Sequence, residues 1–399
     1  MALQFIFGNP GSGKSHYLYE HIIKESIKHP DTNYIILVPE QFTMQTQKEL
    51  VLRHPRHGIM NIDVLSFARL AFRVLEETGN GSREILDDEG KNLILRRLAG
   101  KKEDLLKVLK GNIKKPGYIS EVKSVISELT QYNISPDGME EMIAEADASS
   151  CLAWKLKDIQ VMYQAFEEYL ADKYITKEEI LDTLCNVMGK SRMLKDSVIA
   201  LDGFTGFTPV QNKVLGEMMH HCQKVMITVT MDKREDPYVM KDKYHLFALS
   251  KQMVTSLVKI AGEEKVLVEE PVCLYHEPVY RFKDAPALGF LEKELFRYSG
   301  RTYKEKQRNV RVYAAANPRM EVECAAQRIR FLIRKKEYRY REIAVIASDM
   351  NLYADEVEKT FREYEIPVFM DYKRNVLLNS FVEYIRSLLA MAEQNFSAE

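Results

Sequence analysis

Glycine and proline are scarce, 18 and 13 among 399 residues, below the roughly 12% that the two together reach in ordinary soluble proteins. That shortage argues against a turn-rich sandwich or barrel and favours helices. Cysteine is sparser still: Cys151, Cys185, Cys222, Cys273 and Cys324 stand far apart. With no Cys-x-x-Cys pair and no grouping with histidine, they exclude a disulfide framework and a zinc site of ordinary spacing, and read as thiols of a reduced compartment. No apolar run approaches the roughly 18 residues of a membrane span, and the first eight residues carry no basic segment. A cytoplasmic protein without a membrane partner is therefore expected. Neither sign of charge is in excess, since 57 Lys and Arg face 58 Asp and Glu. Any contact with a polyanion must use a local basic surface, because no global field exists to attract one.

What is present begins at once. Leu3 to Phe7 is a short apolar strand, followed by Gly8-Asn9-Pro10-Gly11-Ser12-Gly13-Lys14-Ser15 and then by a helix with apolar residues Tyr17, Leu18, Ile22, Ile23 and Ile27. Strand, glycine loop and helix in that order form a phosphate cradle. Backbone N–H groups of the turn point at anionic oxygens, and the helix adds its positive end. Lys14 supplies a point charge for the β- and γ-phosphates, and the Ser15 hydroxyl is the expected Mg²⁺ ligand. ATP and Mg²⁺ are the ligands implied. The second magnesium-side residue is Asp202, directly after the apolar Val198 to Leu201, because such sites take an Asp from the end of a neighbouring strand.

Two more apolar strands, Tyr34 to Val38 and Ile62 to Leu65, lead into helices Gln41 to Arg53 and Phe67 to Glu77. Alternation of this kind predicts a parallel sheet whose ligands collect at the strand C-terminal ends. Between about 87 and 195 the pattern turns helical. Strands resume at Ser197 to Leu201 and Lys224 to Thr230, so residues 1–86 and 196–300 are expected to form one discontinuous domain around a helical insertion, 87–195. Arg281 to Arg308 reads as a charged, irregular linker. Beyond it, strands are expected at Val310 to Ala314 and Ile343 to Ile346 around a helix, Met320 to Lys335. This second α/β domain, 308–399, looks unfinished, and a longer polypeptide is expected.

The run Leu201-Asp202-Gly203-Phe204-Thr205-Gly206-Phe207-Thr208-Pro209-Val210-Gln211 resembles the Asp-Glu-Phe-Gln-Asp signature of UvrD-like helicases. The family's catalytic Glu position is Gly203, and Thr205 and Gly206 replace its Gln and second Asp. None of these accepts a proton at neutral pH. Pro39-Glu40-Gln41-Phe42-Thr43 and Leu65-Ser66-Phe67-Ala68-Arg69-Leu70-Ala71-Phe72 resemble the DNA-contacting segments of those motors. The combination is similar to the AddB family, which supplies one half of the AddAB helicase-nucleases that process double-strand DNA breaks for recombination. The resemblance spans essentially the whole chain.

It implies an α/β protein: a P-loop, RecA-like parallel sheet domain with an all-helical insertion, followed by the start of a second RecA-like domain. It also implies an AddA-type partner in a heterodimer, DNA ends as substrate, and an unwound single strand scanned for the short Chi sequence. Gln41, Thr43, Phe67, Arg69, Phe72 and Phe207 are the candidate contacts to that strand, by stacking and by polar or basic groups. A nuclease domain and an iron-sulfur cluster are implied for the intact subunit only, since the five cysteines here lack ligand spacing. An inactivated motor that binds ATP without efficient turnover is the expectation.

Plainer roles stand beside these. By itself the phosphate loop also suits a P-loop kinase of a small metabolite or a nucleotide-binding scaffold. Phe67 and Phe72 suit core packing, and Arg69 suits a surface ion pair. Lys101, Lys102, Lys107, Lys110, Lys114 and Lys115 are interrupted by Glu103 and Asp104 and read as a solvated face. His220, His221 and Cys222 point in different directions on a helix and make a poor metal site.

Overall fold

The computed structural model describes residues 1–79, 84–113, 115–146, 150–171, 174–176, 178–240, 242–372, 376 and 379–396; Lys114 lies outside them. The chain divides into two compact units, Met1–Gln307 and Arg308–Glu399.

The first unit is built on a parallel sheet. Its strands are β1 (Ala2–Gly8), β2 (Tyr34–Leu37), β3 (Ile62–Leu65), β6 (Val198–Leu201) and β7 (Lys224–Thr230), with β4 (Glu84–Leu86) and β5 (Tyr174–Thr176) set apart as a small parallel pair. The order is β3-β2-β6-β7-β1, and the short β8 (Leu267–Val268) and β9 (Val272–Leu274) both lie parallel to β1. Strands buried on both faces need continuous apolar runs, and all four residues of β2 and of β6 are buried.

Side chains alternate across the sheet. Tyr34, Ile36, Ala200 and Met226 face one layer, containing Leu18 and Ile22 of α1 (Lys14–Lys28) and Leu50 of α2 (Thr43–Arg53). Ile35, Leu37, Ile199, Leu201 and Ile227 face the other layer. That layer is built by α3 (Phe67–Glu77), α8 (Ile180–Val187), α9 (Pro209–His221) and α10 (Ala248–Glu263). Helix α8 shares this core through Ile180 and Leu184, although it lies within the stretch 87–195 that the sequence reads as a helical insertion.

Helices α4 (Asp88–Lys102), α5 (Pro116–Gln131), α6 (Met139–Glu145) and α7 (Cys151–Leu170) have a separate core around Leu95, Ile126, Met162 and Phe166. Buried Asp158 of α7 organises the turn after α4: its carboxylate accepts the N–H groups of Lys107, Val108 and Leu109 at 2.7 to 3.1 Å.

Two expectations change. The stretch after Arg281 is no irregular linker throughout. Residues 280–282 form a 3-10 turn, and α11 (Pro286–Glu294) follows, because Pro286 at its first position suits a helix start. In the second unit, α12 (Pro318–Lys336), α13 (Met350–Glu363) and α14 (Ser380–Glu393) form, and α12 and α13 share a small core through Val322, Ile329, Val357 and Phe361. The strands expected at 310–314 and 343–346 do not form. Apolar residues make a strand only when a neighbour completes the ladder, and here Val312 and Ile346 are 93% and 94% exposed.

Asp158→Asn replaces one acceptor oxygen by a donor facing backbone N–H groups. We expect it to lower the unfolding free energy by about 2–3 kcal/mol, read as an earlier midpoint in urea denaturation followed by circular dichroism.

Candidate phosphate and nucleic-acid site

The C-terminal edge of the sheet gathers every candidate. At β1 the backbone turns sharply: the Ser12 N–H donates to the Asn9 carbonyl at 3.1 Å, and Gly11 and Gly13 take φ of 80° and 93°. Those left-handed values favour glycine. At Gly8 the constraint is space, since a Cβ there would lie 2.3 Å from Ser12 Oγ and 3.0 Å from the Leu274 carbonyl.

Lys14 Nζ spans the loop and donates to the carbonyls of Gly8 and Asn9 at 3.0 and 2.9 Å. Burial pulls its pKa down to about 8; Asp202 opposes that shift, Arg281 adds to it, and Glu292 opposes it. Ser12 Oγ is buried without a hydrogen-bond partner among the described residues.

Asp202 is the hub. Its Oδ1 accepts from Ser15 Oγ at 3.0 Å and from Thr228 Oγ1 at 2.6 Å, and its Oδ2 accepts from the Tyr19 hydroxyl at 2.7 Å. Burial, with Asp202 adding to it, pushes the Tyr19 hydroxyl far above its ordinary pKa, which keeps it a donor. Tyr19 and Thr228 are not among the residues that the sequence singles out; their signal, a polar residue one helix turn after the loop and one inside the apolar β7, is intelligible only in three dimensions. Ser15 and Asp202 present hard oxygen donors side by side, the donor type that Mg²⁺ takes when phosphates and water complete its shell.

Past Asp202, Gly203, Phe204, Thr205 and Gly206 bring no carboxylate. One arrives from elsewhere: Glu292 of α11, whose Oε1 accepts from Asn9 Nδ2 at 3.4 Å.

The other half of the edge, formed by the adjacent β6, β2 and β3, holds the proposed strand contacts. Gln41 is exposed, Arg69 is exposed and donates to Glu40 Oε1 at 3.1 Å, and Phe72 is 41% exposed. Phe207 is half-buried and packs against Phe204, 5.2 Å between centroids, and edge-on against Phe67 at 6.2 Å. Two candidates face inward. Thr43 is buried with its hydroxyl donating to the Glu40 carbonyl at 3.0 Å, and Phe67 belongs to the sheet core, where it supports Phe204 and Phe207. Gln211 closes a capping box with Thr208 at the start of α9.

His220 and His221 face Glu264 and Glu217, each at 3.5 Å, and Lys107 lies over the Trp154 ring. Among the described residues no group of three or more metal-ligating side chains occurs, and no helix is long and apolar enough to cross a membrane.

A parallel sheet with a phosphate loop after its first strand and an aspartate at the end of β6 defines a P-loop α/β protein of the RecA-like class. The profile of the family described as "ADDB, N-terminal" matches residues 5–292. Over its full length the chain is similar to the B subunits of ATP-dependent helicase/deoxyribonucleases: 44% identical to that of Lachnoclostridium phytofermentans, 34% to that of Clostridium kluyveri and 32% to that of Acetivibrio thermocellus. The chain belongs to the AddB family, and it spans about a third of the length of these relatives, 34 to 35%.

Lys14 carries a pH signature. Because burial disfavours its charge, the folded chain releases that proton near pH 8, whereas the unfolded chain holds it to the ordinary value of 10.5. The penalty is present in full below pH 8 and is relieved as pH rises toward 10.5, so stability gains through this residue over that window. The stability of Lys14→Met relative to the parent is therefore expected to fall between pH 7 and pH 10, measured by denaturant unfolding at both values.

Proposed function

We propose that this chain is the nucleotide-binding, strand-contacting part of an AddB-type subunit, working beside an AddA-type motor as an inactivated helicase module. One observation carries the reading: Asp202 is held by three hydroxyls, those of Ser15, Thr228 and Tyr19, while positions 203, 205 and 206 offer no base to activate water. The loop's backbone and Lys14 bind the phosphates of ATP. Ser15 and Asp202 would hold Mg²⁺, which when bound neutralises phosphate charge. Tyr19 and Thr228 orient the Asp202 carboxylate. Binding without efficient turnover follows, and the nucleotide acts as a conformational or structural ligand.

The β6-β2-β3 half of the edge receives the unwound strand. Phe72 and Phe207 offer aromatic faces, and Gln41 and Arg69 offer polar and charged contacts, the combination that holds single strands. In the assembled heterodimer this surface reads Chi on DNA emerging from a broken end. Membership in the AddB family leaves the small-molecule kinase reading without support.

Two measurements test the proposal. ATP binding by the protein without its partner should be lost in Lys14→Ala, with no DNA-stimulated phosphate release from the parent; robust turnover abolished by Lys14→Ala or Glu292→Gln would overturn the inactive-motor reading. Phe72→Ala should weaken single-strand binding by about tenfold, the value of one stacked base, in a fluorescence anisotropy titration. Unchanged affinity in Phe72→Ala, Arg69→Ala and Phe207→Ala together would remove the strand surface.

A further inference from the structure

Where α4 gives way to α5, the fold assembles a basic cluster that the order of residues hides. Buried Asp158 draws the turn 107–109 onto α7. Lys107 Nζ is thereby set 3.5 Å from the ring centre of Trp154, the one tryptophan of the chain. Lys157, on the same helix as Trp154, holds its own Nζ 4.6 Å from that ring centre. One half-buried indole thus carries two ammonium groups, brought together from positions 50 residues apart.

Both lysines are exposed, and among the described residues neither forms an ion pair. The carboxylates nearby are occupied otherwise. Asp158 is turned inward onto backbone N–H groups, Asp104 faces Lys110 at 3.5 Å, and Glu103 has a contact of its own. The first turn of α7, which holds Trp154, contains no acidic residue, so the positive end of that helix is left without a compensating charge. Lys110 and Lys155, exposed on the same turn and the same helix, add charge of the same sign.

We propose that Lys107, Lys157 and Trp154 form a docking surface for the phosphate backbone of duplex DNA. An ammonium over an indole is attracted by the negative face of the ring. Lysines held in this way are in place before the ligand arrives and lose less side-chain freedom on binding than free ones would. A ring already engaged by two ammonium groups is not open to stack on an unpaired base, which is what a single strand asks of an aromatic. Contacts to phosphate alone position a duplex without reading its sequence. The choice of DNA rests on the reading above, in which DNA ends are the substrate, and uses none of the residues on the β6-β2-β3 half of the edge.

The test is titration of the protein, without its partner, with dye-labelled blunt duplexes, read by fluorescence anisotropy at several salt concentrations. Lys107→Gln combined with Lys157→Gln should weaken duplex binding several-fold at low salt, equally for two unrelated sequences. The slope of log affinity against log salt should fall by about two, one for each phosphate contact. Single-strand affinity should stay at the parent value, and Trp154→Leu should weaken the duplex less than the double variant does. Trp154 also reports directly, since no other tryptophan emits: duplex should change the parent's emission saturably and leave that of the double variant unchanged at the same concentrations. Thermal unfolding of each variant checks that the fold is kept. A double variant with the parent's duplex affinity and salt slope overturns the proposal; if that variant instead loses affinity for the purified partner subunit, the surface is a protein contact. A parent that binds neither duplex nor single strand overturns the DNA reading and this surface with it. Single-strand binding that depends on Phe72, beside duplex binding indifferent to Lys107 and Lys157, overturns this surface alone.

Discussion

Ser15 and Asp202 stand 187 positions apart in the chain and 3.0 Å apart in space. That contact exists because β1, β7 and β6 run parallel in consecutive register and end on one edge. A parallel sheet requires each strand to be followed by a crossover, and crossovers leave the C-terminal edge open to loops. The candidate phosphate-site residues of the first unit sit on this edge. The oxygens of buried Asp202 are satisfied away from water because three hydroxyls donate to them. Removing any of them leaves a carboxylate less well satisfied at the point where metal and phosphate charges would meet.

β6 divides the edge into two halves with different chemistry. On the side of β7 and β1 lie the glycine loop, Lys14 and the returning segment with Arg281 and Glu292, a rim of charge and backbone N–H groups. On the side of β2 and β3 lie Gln41, Arg69, Phe72 and Phe207, a rim of rings and extended polar side chains. Asp202 closes β6, and Phe204 and Phe207 follow it closely in the chain. Gly203, with a φ of 79°, turns the chain between them.

Local chemistry makes part of this legible from residues alone. The strand, loop and helix at the start are contiguous, so spacing and apolar pattern suffice: β1, α1, α3 and β7 fall where the pattern puts them. Asp202 is visible because an acidic residue directly after four apolar ones marks the point where a buried strand comes out at the sheet edge. The segment around Arg281 deceives, since a charged stretch without periodicity resembles a linker until its backbone is found bonded to Gly11. Resemblance puts Thr43 and Phe67 on the rim, and the packing turns both inward.

The phosphate cradle, the parallel alternation and the loss of carboxylates after Asp202 are written in the order of the residues, because each is a property of neighbours along the chain. Folding was needed to settle which hydroxyls hold Asp202, that Glu292 and Arg281 reach the loop from nearly three hundred residues away, and which aromatic rings stay exposed. Those facts depend on how distant segments meet, and the free energy of that meeting comes from burial shared across the sheet, which no local window of residues contains.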